Sequence, residues 1–268
     1  YHAWSYSVDG ALIATPLQEK DSIDRSTLGL KPVKVDEWQG AIFVSLDENS
    51  PPLTTWLNDH YSRPLELEKF NLSTLKNART TVDEVDANWK VLAENYSECL
   101  HCAVVHPELV DLVPVYKTGK TIEEDRADWG ASLKPGATSL SFKKDENLPL
   151  LPAMDDLDEY SVFGAYVYPN MLIDISPTVA VLSRYVPRSP THTTVYTYYL
   201  FPKEVIDNPE FDLEPTISFT DLVNQQDISV CVRVQRGVAS RSFTNAFHTK
   251  MERYCKQFVR RYRAEIAE

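Results

Sequence analysis

The pattern of apolar and polar positions divides the chain into a short β-rich front, a central helical motif and a strand-rich second half. In the front, Asp9-Gly10 is typical of a hairpin turn between Trp4–Tyr6 and Leu12–Ile13. Two further strands are predicted at Lys31–Val35 and Ala41–Leu46. The front therefore predicts a small β domain.

Acidic, Ser and Pro residues at 47–52 are typical of a linker. They predict that the small β domain covers residues 1–50 and that a larger domain covers residues 51–268. No internal repeat or low-complexity tract interrupts either part.

Helical spacing with interrupting prolines predicts a short covering helix within residues 53–75. Alternation over residues 79–87 predicts a strand, and a helix is expected to follow over Trp89–Leu100. Residues 117–160 lack periodicity, and a stretch of this length is often functional. A lid over a substrate channel is one hypothesis for it, and a surface excursion is the other.

The second half combines strands and helices. Two helices are predicted, over residues 214–235 and over Ser242–Ala267, and aromatic residues spaced by three or four along the second helix are expected to pack in the core. Runs rich in Val, Tyr, Thr and Ile predict antiparallel strands at Ser139–Phe142, Val162–Ile175, Val179–Val186 and Thr193–Phe201. This order of elements predicts an α+β domain with a long C-terminal helix laid across an antiparallel sheet.

Two histidines in the central motif are the strongest candidates for chemistry. Asn95, Glu98 and His101 recur every three residues and would share one face of a helix. His106 would lie about 140° further round an ideal helix. The helix must therefore bend or end if both imidazoles are to converge, and Pro107 marks such an end.

Paired imidazoles suit Fe, Zn, Cu or Ni, and two histidines with one carboxylate form the facial triad of non-haem Fe(II) oxygenases. Asp227, on the predicted late helix, is the candidate for the third ligand. A zinc site remains an alternative because Cys99 and Cys102 form a Cys-x-x-Cys pair beside His101 and His106.

Composition limits the classes of partner. The 268 residues are 43% hydrophobic and 25% charged, which is ordinary for a globular protein with a sizeable core. The net charge of −12 argues against nucleic acid and anionic membranes as partners. No stretch approaches the ~20 apolar residues that span a bilayer. The four cysteines, interpreted as free thiols, indicate a reducing compartment, so we expect a cytoplasmic protein.

The segment Asn-Trp-Lys, Glu-Asn, Glu-x-x-His-x-x-x-x-His-Pro, residues 88–107, resembles the iron motif of the catalytic alpha subunit of Rieske non-haem iron oxygenases. The variant Glu-Cys-x-His-Cys is most similar to the glycine betaine monooxygenase-like branch of that family. In the family the third iron ligand precedes a Gln-x-Gly, which here matches Asp227, Gln235 and Gly237.

The resemblance implies a helix-grip (START-like) catalytic domain, preceded by the C-terminal remnant of a Rieske 2Fe-2S domain. His2 matches one of the two histidines that bind an iron of the cluster. The chain has no initiating Met and is expected to start within that domain, so the remaining cluster ligands would lie upstream. We therefore expect mononuclear Fe(II), but no assembled 2Fe-2S cluster in this chain alone.

The resemblance also implies an oxidoreductase, a monooxygenase or dioxygenase, that uses O2 and electrons from a separate reductase to hydroxylate or N-demethylate a small quaternary ammonium substrate. A homotrimer is implied, with Glu98 between the iron site and a Rieske histidine of a neighbouring subunit. Glu98 could instead accept a hydrogen bond from an iron-binding histidine of its own chain. Asn95 resembles a residue that lies beside the ligands.

A quaternary ammonium site should present aromatic faces to the cation. Four aromatic residues on predicted strands are the candidates: Phe163, Tyr166, Tyr168 and Tyr185. Aromatic-ring hydroxylation and a non-redox ligand carrier of the same fold are the alternative functions.

Overall fold

The computed structural model describes residues 1–19, 22–60, 63–122, 130–144, 147–152, 154 and 160–267, and the chain divides into the units Tyr1–Thr55 and Trp56–Glu268. In the first unit, Gly10 takes a positive φ of 87° within the predicted hairpin turn. This unit contains two antiparallel pairs, β1 (Ser5–Tyr6) with β2 (Leu12–Ala14) and β3 (Lys34–Trp38) with β4 (Ala41–Ser45). The third strand therefore begins three residues later than predicted.

The second unit contains a six-stranded antiparallel sheet with the order β5-β10-β9-β8-β7-β6. Its strands are β5 (Lys76–Val85), β6 (Ala131–Ser132), β7 (Ser161–Val167), β8 (Met171–Ile175), β9 (Ala180–Ser189) and β10 (His192–Phe201). The prediction of a mixed fold with an antiparallel sheet is confirmed. The predicted strand over Val162–Ile175 is in fact two strands, β7 and β8.

The predicted strand at Ser139–Phe142 is wrong, because these residues form bends. The edge strand β6 lies earlier, at Ala131–Ser132. A short apolar run does not by itself distinguish a strand from a buried loop. Here Leu140 lines a cavity, while Phe142 meets Phe219 edge-on with ring centroids 5.3 Å apart.

The α-helices are α1 (Leu53–Asn58), α2 (Trp89–Tyr96), α3 (Cys102–Val105), α4 (Pro107–Leu112), α5 (Lys203–Asp207), α6 (Glu214–Val238) and α7 (Arg253–Ile266). The covering segment predicted within residues 53–75 is α1 followed by the short 3-10 turns Pro64–Phe70 and Leu72–Thr74. Helix α2 packs against both α6 and α7. None of the helices among the described residues is long and apolar enough to span a membrane.

The C-terminal helix is shorter than predicted. Helix α7 begins at Arg253 rather than at Ser242, and Phe247 is 84% exposed instead of packed in the core. The preceding segment contains Ser, Thr and Asn residues that compete with helical hydrogen bonding. The aromatic spacing therefore predicts the packed face of the helix correctly from Tyr254 onward. It is wrong for Phe247 and Met251, which precede the helix and are exposed.

The core behind the central motif is aromatic. The Phe258 ring on α7 is fully buried and meets Trp89 on α2 and Tyr166 on β7 edge-on, with centroids 5.6 and 5.7 Å apart. Such edge-to-face pairs add to the free energy gained by burial. Helix α7 thereby fixes α2 against the sheet.

The stretch for which a lid was one hypothesis, residues 117–160, is only partly described. Residues 123–129, 145–146, 153 and 155–159 lie outside the described part of the chain. Thr121, Ile122 and Leu140 line a cavity in the second unit.

Replacing Phe258 with Ala should lower the free energy of unfolding by about 3–5 kcal/mol, because it leaves a cavity between α2, α7 and the sheet. Phe247→Ala is the matched control and should change it by less than about 0.5 kcal/mol, since Phe247 is exposed. Urea denaturation of both variants measures the difference. Equal losses would contradict the boundary of α7 given above.

The buried His60 predicts a pH dependence of stability. Its Nε2 accepts a hydrogen bond of 2.9 Å from the backbone N–H of Tyr168, and burial, assisted by the charge of Arg261, lowers the pKa of His60 to about 3. The unfolded chain binds a proton near the ordinary pKa of 6.5, whereas the folded chain does not. Stability should therefore fall as the pH drops from 6.5 toward 3.

His60→Gln retains an oxygen acceptor for Tyr168 and does not titrate. The pH slope of the unfolding free energy in this window should be smaller in the variant than in the original chain. Identical slopes would show that His60 does not titrate as its burial requires.

Candidate metal centre

The helix that carries the central motif ends earlier than predicted. Helix α2 ends at Tyr96 rather than at Leu100, and the Ser97 hydroxyl donates to the Ala93 carbonyl at 2.6 Å. The Glu98 carboxylate then accepts the backbone N–H of Leu100. The expectation that the helix must break is confirmed, since His101 lies beyond this turn.

His106 lies between two short helices. It ends α3 and precedes α4, with φ −119° and ψ 65°, and Pro107 begins α4. The chain therefore changes direction twice after α2. The first change lies between α2 and α3, before His101, and the second lies at His106, between α3 and α4. Their ring centroids lie 5.2 Å apart with planes at 76°.

Asp227 on α6 joins the two histidines. Its Oδ1 lies 3.2 Å from His101 Nε2 and 3.0 Å from His106 Nε2. The structure thus brings together Asn95, Glu98, His101, His106 and Asp227, residues that are up to 132 positions apart (227 − 95).

A chain of hydrogen bonds sets the tautomer of His106. The Gln226 amide donates through Nε2 to the Glu108 carboxylate at 3.0 Å, so its Oε1 faces His106 Nδ1 at 2.8 Å. A carboxylate only accepts, and an amide oxygen only accepts, so Nδ1 must carry the proton. In the neutral ring, the Nε2 lone pair then points toward the oxygen of Asp227.

His101 is held in a similar way. Its Nδ1 lies 2.6 Å from Glu98 Oε1, which requires Nδ1 to be the donor, and Nε2 faces Asp227. The Asn95 amide nitrogen lies 3.1 Å from Nε2, and its oxygen accepts from the Cys231 thiol at 3.1 Å. An acceptor on the second ring nitrogen, as Glu98 is on Nδ1, orients histidine ligands in metal sites.

Two acceptor nitrogens facing one carboxylate oxygen need a cation between them. Burial lowers the pKa of His101, but hydrogen bonds with Asp227 and Glu98 outweigh it and raise the pKa to about 9. Burial raises the pKa of Asp227, but hydrogen bonds from His101 and His106 hold it below its usual value. The group therefore attracts a proton or a metal ion.

The distances fit a metal ion. Metal–ligand bonds of ~2.0–2.2 Å place neighbouring donors about 3 Å apart, which is the spacing from Asp227 Oδ1 to each imidazole nitrogen. Two imidazoles and one carboxylate form an N,N,O donor set that suits Fe(II) and leaves other coordination positions for small ligands.

The sulfur alternative fits less well. A donor nitrogen from each histidine and Cys102 Sγ lie within 4.8 Å of one another. Cys102 is bonded to Cys99, however, so it offers no thiolate. Asp227 Oδ1 also lies closer to His101 Nε2, at 3.2 Å, than Cys102 Sγ does, at 3.8 Å.

The prediction of four free thiols is wrong. The turn after α2 brings the Cα atoms of Cys99 and Cys102 to 5.0 Å, within the range that a disulfide bridges, and the two are joined. Cys231 and Cys255 are free and buried, and burial raises the pKa of both thiols.

A cavity of about 270 Å³ adjoins these side chains and lies between the inner face of the sheet and α6. This volume suits a small molecule. Three of the four aromatic candidates, Phe163, Tyr166 and Tyr185, line it, whereas Tyr168 packs instead against Phe258 and Trp89.

Two residues at the site were not predicted from the sequence, Gln226 and Asp174. Gln226 sets the tautomer of His106, and Asp174 presents a carboxylate to the cavity wall. A lone acid within the apolar strand Met171–Ile175 is a signal that could have identified Asp174. His2, the predicted cluster ligand, is exposed in the first unit and contacts the Tyr1 ring at a tilt of 41°, with ring centroids 3.9 Å apart.

The chain is similar to curated oxygenase subunits. It is 29% identical over 250 residues to the carnitine monooxygenase oxygenase subunit of Acinetobacter pittii, covering 91% of this chain and 62% of that protein. It is 27% identical over 282 residues to the glycine betaine monooxygenase oxygenase subunit of Pseudomonas aeruginosa, covering 93% and 64%. The chain thus spans less than two thirds of these curated relatives.

Solved structures share the fold. A quaternary ammonium Rieske monooxygenase matches with a TM-score of 0.72 and 24% identity, covering 98% of this chain and 70% of that one. Naphthalene 1,2-dioxygenase from Rhodococcus sp. matches with a TM-score of 0.62 and 17% identity, covering 98% and 73%. The fold is therefore that of the Rieske oxygenase catalytic domain.

The family model described as ring hydroxylating alpha subunit (catalytic domain) matches residues 69–268, which include the central motif, the sheet and α6. Since this match covers most of the chain, the chain belongs to the family of ring-hydroxylating oxygenase alpha subunits.

Proposed function

We propose that this chain is the catalytic part of a Rieske-type oxygenase that hydroxylates or N-demethylates a small quaternary ammonium compound. The observation that carries the proposal is the convergence of one Asp227 oxygen on the two imidazole nitrogens, 3.2 and 3.0 Å away, at the wall of an aromatic cavity. Relatives named for carnitine and glycine betaine support the substrate class.

In this proposal His101, His106 and Asp227 hold a single ferrous ion. When bound, that ion supplies reductive activation of O2 beside the substrate. Hydroxylation of an N-methyl group yields a product that collapses to formaldehyde and the demethylated amine.

The residues behind the ligands have distinct tasks. Gln226 and Glu98 keep the protonated ring nitrogens turned away from the metal position, so that both Nε2 lone pairs are available to the ion. Asn95, whose oxygen accepts from the Cys231 thiol, lies beside the metal-facing Nε2 of His101 at 3.1 Å. The chain thereby keeps the ligands oriented before a metal binds.

The cavity wall suits a cation better than an anion. Tyr96, Tyr116, Tyr166 and Tyr185 line it, and cation–π attraction is worth ~0.5–2 kcal/mol. Among the described lining residues there is no Lys or Arg. These walls would also accept an aromatic ring, and the family's ring-hydroxylating members make aromatic-ring hydroxylation the second candidate.

We further propose that residues 1–50 are part of a Rieske domain, that residues 51–268 form a helix-grip catalytic domain, and that His2 binds a 2Fe-2S cluster in the longer protein. The first unit contains no cysteine, and such a cluster needs two Cys and two His. In this proposal the first unit does not hold the cluster alone, and the other three ligands lie outside it.

The proposed reaction also needs electrons from outside the catalytic domain. A separate reductase donates electrons, and a homotrimer lets Glu98 lie between the iron site and a neighbouring subunit's cluster. The related carnitine-oxidising structure is described in terms of inter-subunit electron transfer, which supports this arrangement. In this chain Glu98 contacts His101, so it can link the two centres directly.

The orientation of His106 gives a metal-affinity test. Gln226→Ala should weaken Fe(II) binding by about 10–100-fold, because Nδ1 loses the acceptor that fixes the ring. Gln225→Ala is the matched control, since the neighbouring amide donates to Asp83 and not to a ligand. Anaerobic Fe(II) titration, with Co(II) absorption as an independent probe, measures both. Equal affinities in the two variants would argue against the triad.

The activity itself is tested with the full-length protein, anaerobically loaded with Fe(II) and supplied with a reductase and O2. We expect formaldehyde from at least one of choline, glycine betaine and carnitine, and none from the His101→Ala variant. Product from an aromatic acid without formaldehyde would favour ring hydroxylation. Absence of stoichiometric iron would leave a ligand carrier as the remaining candidate.

A further inference from the structure

Asp174 is a carboxylate at the cavity wall that the proposed iron site does not use. It lies on β8, where the other four residues of the strand are buried, and it is directly paired with Gly164 on β7. Gly164 is the one exposed residue of β7, and both residues line the cavity. The exposed surface of this part of the sheet therefore faces the cavity.

Gly164 is required for this arrangement. A Cβ atom at Gly164 would lie 2.6 Å from the Tyr96 hydroxyl oxygen and 3.2 Å from Asp174 Oδ1. The missing side chain thus makes room for a tyrosine–carboxylate pair at the cavity wall. A larger residue would displace the tyrosine hydroxyl from the carboxylate.

The Tyr96 hydroxyl does not need Asp174 as its acceptor. It lies 2.8 Å from Asp174 Oδ1 and 2.9 Å from the Ile173 carbonyl oxygen, so one proton has two acceptors. A carboxylate has about four lone-pair positions, and Tyr96 occupies at most one of them. Within the described parts of the chain, no Lys or Arg forms an ion pair with Asp174.

The other two carboxylates of the cavity already have partners. Asp227 lies between two imidazoles, and Asp83 accepts from the Gln225 amide at 2.8 Å. Burial raises the pKa of Asp174 to about 7, against the hydrogen bond from Tyr96 and with a contribution from the charge of Asp227. A cation beside this buried carboxylate would stabilise its charged form, and no described Lys or Arg forms an ion pair with it.

We infer that Asp174 is the counter-ion for the positively charged nitrogen of the substrate, with the rings of Tyr96, Tyr116 and Tyr185 around the same cation. This inference rests on the proposed function, because it concerns the substrate of that site. It makes Asp174 the residue that selects a cationic substrate over a neutral one. It also predicts a preference for cations without a carboxylate, because a betaine carboxylate would meet Asp174 and no described lining Lys or Arg.

The experiment compares two ligands in full-length, Fe(II)-loaded protein kept anaerobic. One ligand is choline, and the other is its neutral isostere, in which a carbon replaces the nitrogen. Calorimetry gives the affinity for each. The original chain should prefer choline, and Asp174→Asn should weaken choline binding about tenfold or more while changing isostere binding less than about threefold.

Asp221→Asn is the matched control. Asp221 also accepts a tyrosine hydroxyl, that of Tyr199, but it is not among the described residues that line the cavity. The control should retain the preference for choline. Equal weakening of both ligands by Asp174→Asn, or no weakening of choline, would overturn the inference, and formaldehyde production from choline by the same protein would then leave the proposed function intact.

A crystal structure of the original chain with choline tests the inference without a variant. The nitrogen should lie within about 5 Å of an Asp174 oxygen. A nitrogen bound elsewhere in the cavity would overturn the inference. If the original chain neither binds nor demethylates any quaternary amine, the proposed function fails, and the role of Asp174 fails with it.

Discussion

One oxygen of Asp227 lies within 3.2 Å of two imidazole nitrogens, and this contact constrains the second unit. The hydrogen bonds behind the rings turn both lone pairs toward that oxygen, so the three groups repel one another unless a cation lies between them. Burying such a group is tolerable only when its charge is compensated. Helix α6 must therefore pack against α2 closely enough to bring residues 101, 106 and 227 together.

The turns of the backbone between α2 and α4 bring His101 and His106 to the same side, where both face Asp227. On one continuous helix, residues 101 and 106 would diverge by about 140°. The chain instead leaves the helix after Tyr96, and Glu98 uses one oxygen for the Leu100 N–H and the other for His101. The same carboxylate thus stabilises the turn and orients the imidazole. The Cys99–Cys102 bond lies across the same turn, so local structure and chemistry depend on the same few residues.

Much of the fold could be predicted because burial follows period two in strands and about 3.6 in helices. Strand β10 and helix α6 follow these patterns. Strands β7 and β8 are instead buried along nearly their whole length, so only their β-branched and aromatic composition indicates strands, and the turn between them is hidden in one apolar run. The aromatic spacing at Phe247 has the period of a packed helix, but its Ser, Thr and Asn neighbours favour non-helical hydrogen bonds. Only tertiary contacts decide whether such a segment is helical. The pairing of Gly164 with Asp174 depends on the register that the turn between β7 and β8 sets, and a single predicted strand over Val162–Ile175 contains no such turn.

The two proposed sites in the cavity are electrostatically linked. A cationic substrate beside a ferrous ion is repelled by it, and like charges ~4 Å apart cost about 4 kcal/mol at an effective dielectric constant of about 20. Aromatic faces return only ~0.5–2 kcal/mol, so they do not offset this repulsion alone. A second carboxylate such as Asp174 can make up the difference, because it adds attraction for the substrate without entering the ligand set. A neutral aromatic substrate feels no such repulsion and gains nothing from a buried charge, which is why Asp174 favours the cationic substrate over the aromatic one.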